Sequence, residues 1–338
     1  MLGLTRILEE SCAMSKVNIG VIGTANIADR FIIPTILQLD SIYNLKGIAG
    51  RSKDKANIFA NKFDTAVYDS YDDLLRDDEI QAVYIPLPNS LHYKWVEQAL
   101  NYNKHVLVEK SMACSLTEVT ELNKLAQGKK LVLLENFQFR FHKQLALIKK
   151  IIKDETIGEI RQIRSAFGFP PFPDYSDIRY QKRLGGGSLL DAGAYPIKVT
   201  QEIIDESLYV DSASLFIDPS LNVDIWGSAQ LKSLNSKVTS QISFGFDNAY
   251  KCELEVWGSK GYIKANRIFT SPPGSQAKVI IETAEGQKVL LTPNDNHFAN
   301  LLNKFYSYII GNEDCKKEYM SNIIQAELIS QVHNLAEI

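Results

Sequence analysis

The sequence lacks long hydrophobic runs: nowhere in its 338 residues does an apolar stretch approach the roughly 20 residues that a membrane span needs. Arg6, Glu9 and Glu10 break the opening segment before it can read as a signal peptide. Cysteine is sparse and scattered. Cys12, Cys114, Cys252 and Cys315 form no CxxC pair, which argues against a disulfide framework and a zinc site and suits reduced thiols in a cytoplasmic protein. The histidines, His92, His105, His142, His297 and His333, lack the HExxH type of spacing, so no metal is expected. Charge of one sign is missing as well: 37 Lys and Arg stand against 40 Asp and Glu, a net of −3, with no run that could track a phosphate backbone. Neither nucleic acid nor a membrane is an expected partner. There is no internal repeat and no low-complexity segment.

What remains is the composition of an ordinary globular chain, 45% hydrophobic and 23% charged. The length exceeds the usual size of one hydrophobic core and favours two domains. From Val17 to about Leu134, short apolar runs alternate with amphipathic stretches, the pattern of βαβ units feeding a parallel sheet. Strands are expected near 17–22, 45–49, 81–85, 105–108 and 131–134, with helices near 26–39, 53–63, 90–101 and 115–126. After a helix near 141–153 the segments lengthen into a largely antiparallel set of strands between 160 and 291, interrupted by one helix from about Ser188 to Ile204. Helices near 295–311 and 317–336 close the chain. The fold class is therefore α/β: residues 1–14 read as an N-terminal extension, 15–137 as a doubly wound, Rossmann-type dinucleotide-binding domain, and 138–338 as a second α/β domain with a largely antiparallel sheet.

Several segments could carry chemistry. In VNIGVIGTANIA an apolar strand runs into Gly23-Thr24-Ala25-Asn26-Ile27 ahead of a helix. Ala25 and Ala28 replace the later glycines of G-x-G-x-x-G, but the strand-turn-helix setting offers backbone N–H groups to a pyrophosphate. The second strand ends at Gly50-Arg51-Ser52, where an acidic residue would bind the ribose hydroxyls of NAD. Arginine and serine suit a 2′-phosphate instead, favouring NADP(H) over NAD(H). The third expected strand leads into Pro86-Leu87-Pro88-Asn89-Ser90-Leu91-His92, a rigid segment at the carboxyl edge of the sheet that passes near a nicotinamide or simply caps the next helix with Asn89 or Ser90.

Glu109-Lys110 follows another strand, and Ser115 and Glu118 have capping-box spacing. Lys110 is thereby placed in a loop at the carboxyl ends of the strands, where ligands collect. Asp191 and Tyr195, four apart, share one helical face, and Pro196 should kink that helix at Tyr195. Taken alone, Lys110 could be a solvated lysine and Tyr195 an amphipathic core residue; together they suit proton transfer coupled to hydride transfer. The loop FGFPPFPDYSDIRY, containing Asp177 and Arg179, with Lys182 and Arg183 behind it, either stacks a sugar or base and neutralises a diphosphate, or is a solvated turn.

In order along the chain, GTANIA, PLPNSLH, VEKS, ENFQFRFH and GGGSLLDAGAYP resemble the Gfo/Idh/MocA oxidoreductase family from Lys16 to Ile338. The family's Glu-Lys-Pro signature stands here as Glu109-Lys110-Ser111. GTANIA, FGFPPFPDYSDIRY and GGGSLLDAGAYP look most like the sugar-nucleotide 3-ketoreductases of deoxysugar biosynthesis. The resemblance implies that Lys110 and Tyr195 line the cleft between domains and act in catalysis. Glu109 and His92, beside the expected nicotinamide at the carboxyl edge of the sheet, join the cofactor set, and the resemblance carries Arg140, with His142, over as positioning residues. Asp177, Arg179 and Asp191 complete the expected substrate set. It further implies a homodimer or homotetramer built on the open sheet. The activity so implied is NADP(H)-dependent reduction of the C3 keto group of a nucleoside-diphosphate-linked sugar, with Tyr195 as proton donor and Lys110 polarising the carbonyl and lowering the tyrosine pKa. A dehydrogenase of a free sugar, polyol or dihydrodiol is the alternative enzyme, and a catalytically silent NADP sensor the alternative of another class.

Overall fold

The computed structural model describes residues 16–336; the expected extension at 1–14 lies outside the described residues. Six strands, β1 (Val17–Ile22), β2 (Tyr43–Ala49), β3 (Ala66–Tyr68), β4 (Ala82–Ile85), β5 (His105–Glu109) and β6 (Leu133–Asn136), form one parallel sheet in the order β3-β2-β1-β4-β5-β6. Crossover helices cover both faces, so central strands are apolar throughout: every residue of AVYI in β4 is buried. The order reverses between β1 and β4, and the crevice beyond their carboxyl ends opens over Gly23 and Pro86.

Two short elements, β3 and the helix Tyr71–Arg76, go beyond the expected ones. Three residues carry no periodicity, although Ser70 ahead of Asp73 is a start signal, and its hydroxyl accepts the Asp73 N–H at 3.0 Å. The helix after Lys110, Leu116–Lys129, is capped as expected by Ser115, which accepts the Glu118 N–H at 3.3 Å. The return bond falls one residue earlier than in a capping box: the Glu118 carboxylate accepts the N–H of Cys114 at 3.0 Å.

Eight further strands, β7 (Ile160–Gly168), β8 (Leu208–Ile217), β9 (Asp224–Ser233), β10 (Thr239–Gly245), β11 (Lys251–Gly258), β12 (Gly261–Asn266), β13 (Lys278–Thr283) and β14 (Gly286–Leu291), make a second sheet in the order β14-β13-β12-β11-β7-β10-β9-β8. All neighbours are antiparallel except β7 and β10. Its strands alternate between buried and exposed residues, as in β11, because helices cover one face only. On the open face Phe216 and Trp226 stack with ring centroids 3.9 Å apart, and Trp257 is 49% exposed.

The helix carrying Asp191 and Tyr195 begins as a π-helical turn, Leu189–Gly193, and becomes α-helical over Ala194–Ile203. The expected kink at Tyr195 is thus a widened turn one step earlier. The first crossover does the same, with a π turn at Ala28–Ile32 before Ile33–Gln38, whose second residue is Pro34. In both cases the proline ring crowds the preceding turn and its nitrogen donates nothing, which favours a wider turn there. The helix His297–Ile309 returns to the first sheet: Phe298, Leu301, Leu302 and Phe305 pack with Val17, Ile19, Ile36 and Tyr43. Connectivity alone assigned it to the second domain.

Candidate active site

Gly23 follows β1 with φ +124° and donates its N–H to the Ala49 carbonyl at 2.8 Å. A Cβ there would lie 2.9 Å from Leu87 Cδ2 and 3.3 Å from the Pro86 carbonyl, and an L side chain rarely adopts this φ. Glycine therefore leaves the turn's backbone bare beside the Pro86-Leu87 segment, the form a pyrophosphate cradle needs. At the end of β2, Arg51 is exposed and forms no ion pair among the described residues. Ser52 caps the helix Lys53–Phe63 by accepting the Lys55 N–H at 3.4 Å, which leaves its hydroxyl hydrogen to donate outward. Residues of the dinucleotide type are thus present and accessible, and they fit the adenosine phosphate end of NADP(H).

These positions open onto one cleft of about 1390 Å³, which also takes in Lys110, Asp191, Tyr195 and the aromatic loop around Phe172. The volume exceeds the usual 300–1,000 Å³ or so of a single small-molecule site and leaves room for two ligands side by side.

Lys110 directly follows β5 and is joined to Ser111 by a cis peptide bond. Its ammonium donates to Asp191 Oδ1 at 2.5 Å and to the Asp191 carbonyl at 3.0 Å, and it lies 5.2 Å from the centre of the Tyr195 ring. Arg179 Nε reaches the other Asp191 oxygen at 2.7 Å, while its Nη1 donates to Asp177 at 3.2 Å. One carboxylate is held between two cations. Burial alone would raise the Asp191 carboxyl, but Lys110 and Arg179 hold it well below the usual carboxylate range. Burial would depress the Lys110 ammonium, yet Asp191 carries it above its ordinary value, so the lysine is charged at neutral pH.

Tyr195 is 9% exposed, with its ring packed edgewise on Phe137 and Phe167 and tilted against Phe139 and Phe269. Here the expectation of a lowered tyrosine pKa is corrected. Burial raises it first, Lys110 pulls it down, Glu109 and Asp191 push it up, and the net direction is upward. The phenol keeps its proton at neutral pH. Glu109 is fixed beside it by the Tyr84 hydroxyl and the Asn136 amide, each donating to Oε1 at 2.6 Å.

Thr24, Ala25, Asn26, Ile27, Pro86, Leu87 and Asn89 also line the cleft, and Asp177 and Arg179 line its other wall. The Asn89 side chain does not cap its helix. Pro88 is the N-cap, without a side-chain bond, and Asn89 Nδ2 crosses to the Gly185 carbonyl at 2.9 Å.

Three expected site residues lie elsewhere. His92 is fully buried beneath the cleft with Nδ1 2.7 Å from the Ser111 carbonyl; burial lowers its pKa to about 4, so it is a neutral support for the lysine loop. Arg140 is not on the cleft wall: its guanidinium donates to Glu202 at 2.6 Å and to Glu318 at 2.8 Å, in a buried ion cluster that ties the Tyr195 helix to the C-terminal helix Lys316–Ala336. His142 is likewise buried and caps the helix Lys143–Lys153, accepting the Gln144 N–H at 3.0 Å. Arg30, Lys55 and Tyr71 line the cofactor end and were not foreseen. Their signal was available for Lys55 alone, three residues past the Ser52 cap on the first turn facing the crevice.

Comparison with known proteins agrees with this fold. The model for an oxidoreductase family with an NAD-binding Rossmann fold matches residues 17–137, and that for the GFO/IDH/MocA C-terminal domain matches 145–264. The chain belongs to the Gfo/Idh/MocA oxidoreductase family. Among its relatives, the dTDP-3,4-didehydro-2,6-dideoxy-alpha-D-glucose 3-reductase of Actinomadura kijaniata is 34% identical over 325 residues, covering 96% of this chain and 97% of that one. A 3-ketoreductase from the same organism, crystallised with NADP and TDP-benzene, superposes with a TM-score of 0.91 at 33% identity, over 95% of this chain and 98% of the other. The NADP(+)-dependent D-xylose 1-dehydrogenase 2 of Haloferax volcanii is 29% identical over 283 residues, 82% of this chain and 85% of that protein.

Proposed function

We propose that the protein is an NADP(H)-dependent reductase of the C3 keto group of a deoxysugar linked to a nucleoside diphosphate. The observation that carries this is the single large cleft onto which the Gly23 turn and Arg51 open together with Lys110, Tyr195 and the aromatic loop. It is supported by the Actinomadura kijaniata relative named as a dTDP-deoxysugar 3-reductase and by the 3-ketoreductase structure holding NADP and TDP-benzene, each aligned over nearly the whole length of both chains.

A bound nicotinamide cofactor supplies the hydride. Gly23 through Ile27 hold its phosphates with backbone N–H groups, and Arg51 and Ser52 take the 2′-phosphate. Tyr195, a phenol that burial holds above its ordinary value despite Lys110 and that is therefore protonated at neutral pH, donates its phenolic proton to the oxygen of the carbonyl as that oxygen gains charge. Lys110, held charged by Asp191, stabilises the same oxygen electrostatically. Arg179 is committed to Asp191 and Asp177, so it braces the lysine rather than neutralising a diphosphate. That task falls to Arg183, which lines the cleft and forms no ion pair among the described residues.

The commitment of Arg179 is also what favours the second reading, a free-sugar dehydrogenase like the xylose enzyme, because it removes one cation from the diphosphate end. Thermal unfolding of the NADPH-saturated protein with dTDP, UDP, GDP and CMP separates the two. A nucleotide at 100 times its dissociation constant adds about 2.7 kcal/mol. Selective stabilisation by one supports the sugar-nucleotide reductase and names its carrier; no response to any moves the substrate to a free sugar, polyol or diol.

Two features of setting belong to the same proposal. The exposed Phe216, Trp226 and Trp257 on the open sheet face form the contact of a homodimer or homotetramer. Among the described residues no helix is long and apolar enough to cross a membrane, and the cytoplasm is the proposed location.

A further inference from the structure

Lys110 and Tyr195 reach the cleft from different domains, Lys110 from the end of the parallel sheet and Tyr195 from the helix that follows the turn Leu189–Gly193. A lysine and a phenol that act on one oxygen need their separation held. The residue after Lys110 bridges that gap. Ser111 is 3% exposed, and its hydroxyl donates to the Leu190 carbonyl at 3.1 Å. Lys110 donates to the next carbonyl, that of Asp191, at 3.0 Å. Two consecutive side chains of the first domain thus hold two consecutive carbonyls of the second.

Those carbonyls are open to side chains because the turn runs short of backbone donors. In the α or π register the Leu190 carbonyl would take the N–H of residue 194 or 195, and the Asp191 carbonyl that of 195 or 196. Ala194 points its N–H at the Leu189 and Ala192 carbonyls instead. Pro196 has none to give. The Tyr195 N–H is left to serve two acceptors, and side-chain donors from Lys110 and Ser111 make up the shortage.

Both ends of the bridge are fixed within their own domains. Nδ1 of the fully buried His92 lies 2.7 Å from the Ser111 carbonyl; a carbonyl only accepts, so the ring nitrogen is the donor. The N–H of the following Met112 donates to Glu135 at 2.8 Å. Across the gap, Asp224 at the start of β9 accepts the Ser188 hydroxyl at 2.7 Å and the Leu189 N–H at 2.6 Å, both on Oδ2. Gly187, with φ +120°, leaves that carboxylate its room, since a Cβ there would lie 2.3 Å from Asp224 Oδ1. Neither side can shift freely to replace a lost bond between them. A proline, the residue of the family signature at this position, has no hydroxyl and could not make the contact.

We propose that Ser111 is a positioning residue for the reduction: with Lys110 it clamps the two domains at Leu190 and Asp191 and so fixes Lys110 against Tyr195. This rests on the function proposed above. A distance of 3.1 Å is at the outer end for an O–H···O bond, so the effect on rate belongs to the modest class, about three- to tenfold.

Ser111→Ala removes the hydroxyl and keeps the backbone. Its kcat with NADPH and a dTDP-linked 3-keto deoxysugar should fall about three- to tenfold. KM for NADPH, which the Gly23 turn and Arg51 hold in the proposed binding mode, should stay at the wild-type value, a split that general loosening of the fold does not produce. The second measurement needs no substrate. Hydrogen–deuterium exchange of the NADPH-saturated protein should be faster in the variant over residues 188–195 and unchanged at the Gly23 turn. The proposal is overturned if kcat is that of wild type, if KM for NADPH rises as far as kcat falls, or if exchange over 188–195 is unaltered. A wild type that reduces no nucleotide-linked keto sugar would instead count against the proposed substrate, and the exchange result would still decide the clamp.

Discussion

Replacing Asp191 by asparagine keeps the shape of the side chain and removes the one negative charge between Lys110 and Arg179. In the wild type the two oxygens accept at 2.5 Å and 2.7 Å, and the side chain is 16% exposed. An asparagine carbonyl can accept from one cation only, and its NH2 group then meets the other cation's donors. Breaking a buried ion pair costs about 3–5 kcal/mol. Lys110 retains the backbone carbonyl of the substituted residue at 3.0 Å and Arg179 retains Asp177 at 3.2 Å, which places the loss at the low end, about 3 kcal/mol. At roughly 2–4 °C per kcal/mol for domains of 150–250 residues, Tm should fall by ~6–12 °C. The pH dependence follows in sign from the depressed Asp191 pKa. The stabilisation by this carboxylate is complete above the unfolded value near ~3.9 and is lost as pH falls from there toward the folded value. The uncharged asparagine has nothing to lose in that window, so the difference in Tm between wild type and D191N should be full at neutral pH and shrink once the pH drops below about 4. Differential scanning calorimetry at neutral pH and at about pH 3 measures both quantities. An unchanged Tm at neutral pH, or a gap that stays constant in acid, would refute the account of Asp191 as the charge that holds Lys110 and Arg179.

Two further substitutions test the proposed roles. Tyr195→Phe preserves the ring contacts with Phe137, Phe139, Phe167 and Phe269 and removes only the acid, so kcat for keto-sugar reduction should fall ~10²–10⁴-fold while NADPH titrates as in wild type; wild-type turnover would take Tyr195 out of the mechanism. Arg51→Ala should raise KM for NADPH about tenfold, the low end for a charge-assisted bond at an exposed position, and leave KM for NADH unchanged. Equal effects on both cofactors would mean that Arg51 does not read the 2′-phosphate.

The positions of Gly23, Lys110, Asp191 and Tyr195 were legible in the sequence because each is set by a local signal: a strand running into a turn, a strand end before a capped helix, and a four-residue helical spacing. The open antiparallel sheet was legible from the period of its strands for the same reason. What the sequence did not reveal is how buried charges choose partners. Arg140 looked like a site residue because its segment ENFQFRFH is part of the resemblance, yet its partners Glu202 and Glu318 lie 62 and 178 residues away, and folding brings them to it out of reach of the cleft. Arg179 looked free to meet a diphosphate, because nothing in FGFPPFPDYSDIRY tells that Asp191 will take its Nε.

Tyr195 is the clearest case. A lysine nearby suggested a lowered phenol pKa, and Lys110 does act in that direction, but the sign of the total is set by how deeply the ring is buried and by Glu109 and Asp191 on the same side. None of those magnitudes is written in the local sequence. The difference matters to the chemistry. A phenolate at neutral pH would be poised to take a proton from an alcohol, whereas a phenol that keeps its proton beside a charged lysine is poised to give one to a carbonyl oxygen. The burial that sequence reasoning could not weigh, together with Glu109 and Asp191, thus reinforces the protonated phenol that reduction requires and offsets the opposing pull of the lysine that first drew attention to it.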